Sequence, residues 1–286
     1  MADSRLFYNQ YLISKIRTSK LPNFIAEDVG DFTLYAHPAA ELATNTSGQN
    51  KLFRLGFCFD YRNPQMTNQQ IVDNICISSL SSVLSHLRHL SGVYIVIVKF
   101  EDSIFIVPDM CAFREVYYHK ETAAASPNLL RVVNEVAEVD DSKSQGFFQS
   151  EVFRTRLTWV GEETSFVGVK RLKPNHYLDL NSILATRFFP VENSVPRDVN
   201  AASASTCNIL EGIVKAVTKR GPAMMGLTAG WDSRVLLTAS RSVKKDILYF
   251  LTVHKESKID ALVSRRLAED LDLNYFQNWS RRNQGL

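Results

Sequence analysis

The stretch GLTAGWDSRVLLTAS, residues 226–240, decides how the chain is read. AMMGLT (223–228) has the apolar run of a buried strand, AGWDS is a small-residue turn with an Asp and a Ser, and RVLLTASR continues as a helix. A loop between a parallel strand and a helix presents the free N–H groups of the helix's first turn and the positive end of its dipole. Phosphate binds there readily. Ala229 and Gly230 let the backbone approach a ligand, and the hydroxyls of Thr228 and Ser233 can donate to phosphate oxygens. Asp232 would repel a phosphate, so it fits either as a helix cap or as a ligand to Mg²⁺ lying between it and the phosphates. No GKS, GKT or GxGxxG is present, which argues against a Lys-bearing nucleotide loop and a dinucleotide fold.

Working outward, the pattern predicts a helix at 201–219, a strand at 222–228, a loop at 229–231, a helix at 232–242, a strand at 246–253, a helix at 259–271 and a short apolar piece at 274–276. That alternation implies the start of a doubly wound parallel sheet, Rossmann-like in class. About two βα units are few for a sheet that needs both faces covered, so the expectation is either a short protein or part of something longer. FFPVENSVPRDVN (188–200), with two prolines, reads as a linker and divides the chain into 1–196 and 197–286. Upstream, KLFRLGFCFD (51–60) reads as a strand and 71–90 as one helix, which Thr67 or Asn68 could cap. VYIVIVKF (93–100) and SIFIVPD (103–109) read as a hairpin, FREVYYHK (113–120) as a further strand, and 167–182 as two short strands about a Lys-Pro-Asn turn.

Composition is that of a soluble globular protein, and a net charge of +3 over 286 residues gives no reason to propose nucleic acid or an anionic membrane as partner. No run approaches the roughly 18 apolar residues of a membrane span, and the polar N-terminus does not resemble a secretory signal. A cytoplasmic protein is expected, in which the sequons at Asn45 and Asn278 carry no meaning. Cys58, Cys76, Cys111 and Cys207 form no CxxC pair and read as buried free thiols.

TAGWDS resembles the S-G-G-x-D-S loop of the ATP pyrophosphatase (PP-loop) enzymes, and LTAGWDSRVLLTAS resembles the synthetase domain of asparagine synthetase-like proteins. LSGVYIVIVKFEDSIFIVPDMCAFREVYY (90–118) is similar to the class II glutamine amidotransferase-like domain that precedes it in that family, GVKRLKPNHYLDL (168–180) to that domain's last hairpin, and 257–277 to the helix and strand after the second sheet strand. The resemblance implies an N-terminal amidotransferase-like αββα sandwich followed by a PP-loop, adenine nucleotide alpha hydrolase-like domain. It implies that Leu227, Thr228, Ala229, Gly230, Asp232, Ser233 and Arg234 hold the phosphates of ATP, with Asp232 on Mg²⁺. The implied chemistry is attack of a small-molecule carboxylate on the α-phosphate, release of pyrophosphate, and transfer to an amine. Two departures matter. Ala2 stands where the family's glutaminase needs Cys, so the amine would not come from glutamine, and the family's later G-E-G-x-D-E segment is absent. The alternative is a non-catalytic nucleotide-binding or scaffolding relative; an oligomer is compatible with either.

The remaining candidates have ordinary readings. Arg234 either touches a phosphate or is a surface residue, and Trp231 shields the loop. His86 and His89 read as surface histidines rather than a metal pair, and His176 as structural. Asp109 and Arg114 suggest a structural salt link, Asp260 a cap on the helix that follows it, and the aromatic residues of 113–118 core or interface.

Overall fold

A computed structural model of the chain describes residues 7–134, 139–156, 159–190, 195–254 and 257–279. It contains two compact units: Met1–Cys58 with Thr67–Ser194, and Phe59–Met66 with Val195–Leu286.

Among the described residues, the first unit is built from twelve strands in two antiparallel sheets. In chain order they are β1 (Tyr11–Ser14), β2 (Ile25–Val29), β3 (Phe32–Ala36), β4 (Ala43–Ser47), β5 (Asn50–Asp60), β6 (Leu90–Phe100), β7 (Ser103–Pro108), β8 (Tyr117–His119), β9 (Thr122–Ala124), β10 (Lys170–Arg171), β11 (His176–Asp179) and β12 (Leu184–Arg187). One sheet has the order β10-β8-β9-β1-β3-β2, the other β12-β11-β7-β6-β5-β4. Alternation places Tyr11, Ile13, Phe32 and Leu34 of the first sheet and Phe53, Leu55, Ile95, Ile97 and Ile106 of the second in one shared core. Outside the first sheet, Leu12, Tyr35 and Ala124 pack on Leu129 and Leu130 of the helix α3 (Pro127–Asn134). Two helices, α1 (Asn68–Asp73) and α2 (Leu80–Leu87), accompany the second sheet at β4 and β6. The layering is αββα. Two more helices, α4 (Asp141–Gln149) and α5 (Glu151–Arg156), gather Phe147, Phe148, Phe153 and Trp159. The middle of the second sheet closes tightly: a Cβ on Gly56, at φ 93°, would lie 2.2 Å from the Val93 carbonyl oxygen, so only glycine allows β5 to approach β6 there.

Three readings of this unit are corrected. The apolar spacing over 71–90 is split into two helices, because Ser79 caps α2 through the amide of Ser82. At the last turn of α1 and in the connection after it, Asn45 donates to the carbonyls of Val72 and Ile75, and Asn50 to that of Ile77, so tertiary partners hold this connection out of helix. The two short strands of 167–182 do not form a hairpin: β10 pairs with β8 and β11 with β7, so the Lys-Pro-Asn turn crosses from one sheet to the other. The hairpin of this region is β11 with β12. Finally, only Tyr117–His119 of 113–120 is strand. Thr67 is the helix cap on α1, in a reciprocal capping box with Gln70.

The second unit holds a parallel sheet of β13 (Ala223–Gly226), β14 (Ile247–Val253) and β15 (Tyr275–Trp279), in that order. Its helices are α6 (Val199–Arg220), α7 (Trp231–Ala239) and α8 (Lys258–Asp270). Leu210 and Val214 of α6, Leu237 of α7 and Leu267 of α8 join Ala223, Ile247 and Tyr249 in one core, so all three helices cover the same face. Along each strand the alternate residues point away from it; Met224 and Phe276 are exposed there, and Phe250 stacks on Phe276. The order advances in one direction throughout the described strands, so the reversal that a doubly wound sheet requires is not among them. Phe59–Met66 belongs with this unit: a Cβ on Gly212 of α6 would meet the Tyr61 carbonyl oxygen at 2.2 Å. No helix of the described residues is long and apolar enough to cross a membrane. Of the four thiols only Cys58 is buried, and the other three are exposed, contrary to the sequence reading.

Candidate functional site

The loop at 227–230 leaves the carboxyl end of β13 and enters α7 directly. This is the edge of a parallel sheet at which α/β proteins bind ligands. Leu227 is fully buried in the core and its amide donates to the Phe250 carbonyl oxygen, so its side chain cannot be a ligand. Gly230 is the N-cap of α7, with ordinary extended backbone (φ −67°, ψ 158°). Ala229 is not among the positive-φ residues, so an alanine costs nothing where the resembling family has glycine.

The loop is closed upon itself. The Thr228 amide donates to Ser233 Oγ (3.1 Å), the Ala229 amide to Asp260 Oδ1 (2.8 Å) and the Gly230 amide to Thr228 Oγ1 (3.1 Å). The two hydroxyls are 2.9 Å apart, and Ser233 Oγ is also within reach of the carbonyl oxygens of Thr228 and Gly230. The structure thus joins Thr228, Ala229, Gly230 and Ser233 by hydrogen bonds within one loop. It adds Asp260, which does not cap α8: it lies inside that helix's first turn and reaches across to the loop. An Asp in a first turn has a sufficient local explanation, so no sequence signal pointed across 31 residues to Ala229.

Asp232 is exposed in the first turn of α7 and makes no hydrogen bond or ion pair with any described residue. It is not the cap, a position Gly230 occupies. Among the described residues no group of three His, Cys, Asp or Glu side chains could hold a metal ion. Asp232 thus fits Mg²⁺ only as one carboxylate, with phosphate oxygens and water as the remaining ligands, which is a common way for that ion to bind. Arg234 bends back: its Nε donates to the Gly230 carbonyl oxygen (3.3 Å) and its guanidinium lies 4.5 Å from the Trp231 ring centre. Trp231 itself is 78% exposed.

The other candidates are structural. The Asp109 carboxylate does not pair with the Arg114 guanidinium; it accepts the amides of Cys111, Phe113 and Arg114. The guanidinium instead donates to the Asn9 carbonyl and side-chain oxygens, and burial pushes its pKa below the usual arginine range. His86 Nδ1 lies 3.0 Å from the Ser82 carbonyl oxygen, and His176 Nδ1 lies 2.8 Å from that of Pro174. Ala2, where the resembling family has its nucleophile, lies outside the described residues.

No protein-family model matches the chain, and no curated protein matches it. Among solved structures, it is similar to one described as the allosteric regulatory enzyme of purine biosynthesis, at 10% identity and a TM-score of 0.37, covering 90% of this chain and 63% of that one. Another is glutamine phosphoribosylpyrophosphate amidotransferase from B. subtilis complexed with ADP and GMP, at 13% identity and a TM-score of 0.33, covering 79% of this chain and 53% of that one. No family is shown by these likenesses. The chain spans less than two thirds of either neighbour, and scores this low carry no argument about its chemistry.

Proposed function

We propose that the parallel unit binds the polyphosphate of ATP, with Mg²⁺, at residues 228–233. The chemistry it would serve is that of an asparagine synthetase-like amidoligase: adenylation of a small carboxylate and its transfer to an amine other than the amide of glutamine. The observation that carries the reading is the run of three consecutive amides, at Thr228, Ala229 and Gly230, with two hydroxyls beside them, between a parallel strand and a helix start. Thr228 and Ser233 would turn their hydroxyls to phosphate oxygens, and Asp232 would hold Mg²⁺ against them. When bound, that ion would offset phosphate charge; the chain's own residues orient the nucleotide.

A second reading, nucleotide binding without chemistry, is favoured by the sparse surroundings of the loop. Arg234 is turned back onto Trp231, and among the described residues Asp232 is part of no group of three His, Cys, Asp or Glu side chains that could hold a metal ion. Two measurements separate the readings. Calorimetric titration with ATP, with and without Mg²⁺, reports binding; pyrophosphate release in the presence of candidate carboxylates and ammonia reports chemistry. If Asp232 holds Mg²⁺, Asp232→Asn weakens binding only when Mg²⁺ is present. Failure of the wild type to bind ATP at millimolar concentration rejects the site.

A further inference from the structure

We infer that Asp260 is an internal occupant of the loop, an autoinhibitory carboxylate that a phosphate must displace. The inference rests on the phosphate reading above. Of the three amides at Thr228, Ala229 and Gly230, two are engaged by hydroxyls, those of Ser233 and Thr228. A hydroxyl both donates and accepts, so those two can stay in place and turn toward an arriving phosphate. The third amide, that of Ala229, is engaged by a carboxylate from another helix, 31 residues away, at 2.8 Å. A carboxylate only accepts. It holds the N–H that an anion would take, and its charge repels that anion. A phosphate and the Asp260 carboxylate therefore cannot share Ala229.

The contact is built to release. Asp260 is half-buried, and among the described residues no cation pairs with it. It lies in the first turn of α8, whose N-cap, Ser257, makes no side-chain capping bond. A carboxylate swung away from Ala229 stays at the positive end of its own helix, where negative charge is favoured. The empty loop is thus held in a closed state, and the affinity measured for any phosphate ligand is lowered by the fraction of molecules in which Asp260 has let go.

The test titrates ATP, and separately inorganic pyrophosphate, into the full chain as wild type, Asp260→Asn and Asp260→Ala. Asparagine keeps the shape and can still accept from Ala229 but lacks the charge, so it serves even if the alanine variant fails to fold. Both variants are expected to bind at least about tenfold more tightly than wild type. Amide exchange at Ala229 gives an independent readout: slow in the empty wild type, fast in empty Asp260→Ala, and slow again when that variant is saturated with ATP. If wild type binds and both variants bind equally or more weakly, Asp260 is a strut for the loop and the inference is overturned while the phosphate site stands. If no form binds ATP or pyrophosphate, the phosphate reading falls and takes this inference with it.

Discussion

Two loops in this molecule each close on a carboxylate, and they do so differently. After β7, Asp109 is 3% exposed and accepts three amides, those of Cys111, Phe113 and Arg114, all within five residues of itself. After β13, the loop at 227–230 receives a half-buried carboxylate from α8, which accepts one amide, that of Ala229. The first carboxylate is architecture: it arrives with its own chain segment and accepts three amides of that segment. The second is a visitor. It satisfies one donor, comes from a separate helix, and can leave without exposing a set of orphaned amides. The number of donors and the sequence distance of the acceptor decide which loop is rigid and which can open.

The comparison can be broken most directly at Asp109. Asp109→Ala leaves three amides without their acceptor, that of Arg114 buried and those of Cys111 and Phe113 on exposed residues, and is expected to cost about 3 kcal/mol in urea unfolding. Asp260→Ala, with one donor to lose, should cost about 1 kcal/mol or less. Equal losses would erase the distinction. A small effect of Asp260→Ala has meaning only if the parallel unit registers damage at all, and Gly212→Val provides that control. Its side chain would press on the Tyr61 carbonyl oxygen, which lies 2.2 Å from the position of a Cβ, and should destabilise by about 1–3 kcal/mol.

Gly230→Val sharpens the functional half of the comparison. A Cβ there meets only Thr228 Oγ1, at 3.2 Å, so folding should change little. Close approach of phosphate is blocked, however, and ATP affinity is expected to fall at least tenfold, about 1.4 kcal/mol, by calorimetry. Unchanged affinity would remove the loop from consideration. The smallest effect belongs to a third carboxylate, Asp140, which caps α4 at its surface. The Lys143 amide, and then the Ser142 hydroxyl, hold its carboxyl below the usual aspartate range. Its folded-state pKa is depressed, so its contribution is present above the unfolded value and is lost as pH falls through the folded one. Asp140→Asn, which caps about as well, should flatten the stability curve slightly below about pH 4; an unchanged acid limb would deny Asp140 that role.

The strand–loop–helix at 223–240 was legible in the sequence because its signals are local: an apolar run, a cluster of small residues, then apolar residues at helical spacing. The hairpin of β6 and β7 was legible for the same reason, with β-branched alternation on both sides of Glu101-Asp102. What escaped was decided by partners far along the chain. Asn45 and Asn50 break the helix pattern of 71–90 by taking its carbonyls, and nothing within that window announces them. The crossing at 172–175 depends on which sheet each short strand finds; the Leu172 amide finds the Val116 carbonyl oxygen, while Leu178 and Leu180 enter the shared core. In the first fifty residues the sequence suggested no elements, yet β1 and β3 are central to their sheet, because their burial on both faces removes the alternation that marks a half-buried strand. At the site, Leu227 was placed by its neighbours in sequence although its side chain belongs to the core, and Asp260 was missed because its role lies across a gap of 31 residues.

The stacking of Arg234 on Trp231 gives the loop an optical signature. An indole that is 78% exposed emits as one in contact with water and is reached by a neutral quencher such as acrylamide. Trp159, by contrast, lies flat against Phe147 at 3.9 Å, shielded on that side. A nucleotide entering beside Trp231 would disturb the guanidinium that lies over its ring, and the emission of Trp231 would change in colour and in quenching. The molecule thus carries at its candidate site a built-in lamp, whose response needs no label and can be followed on the timescale of mixing.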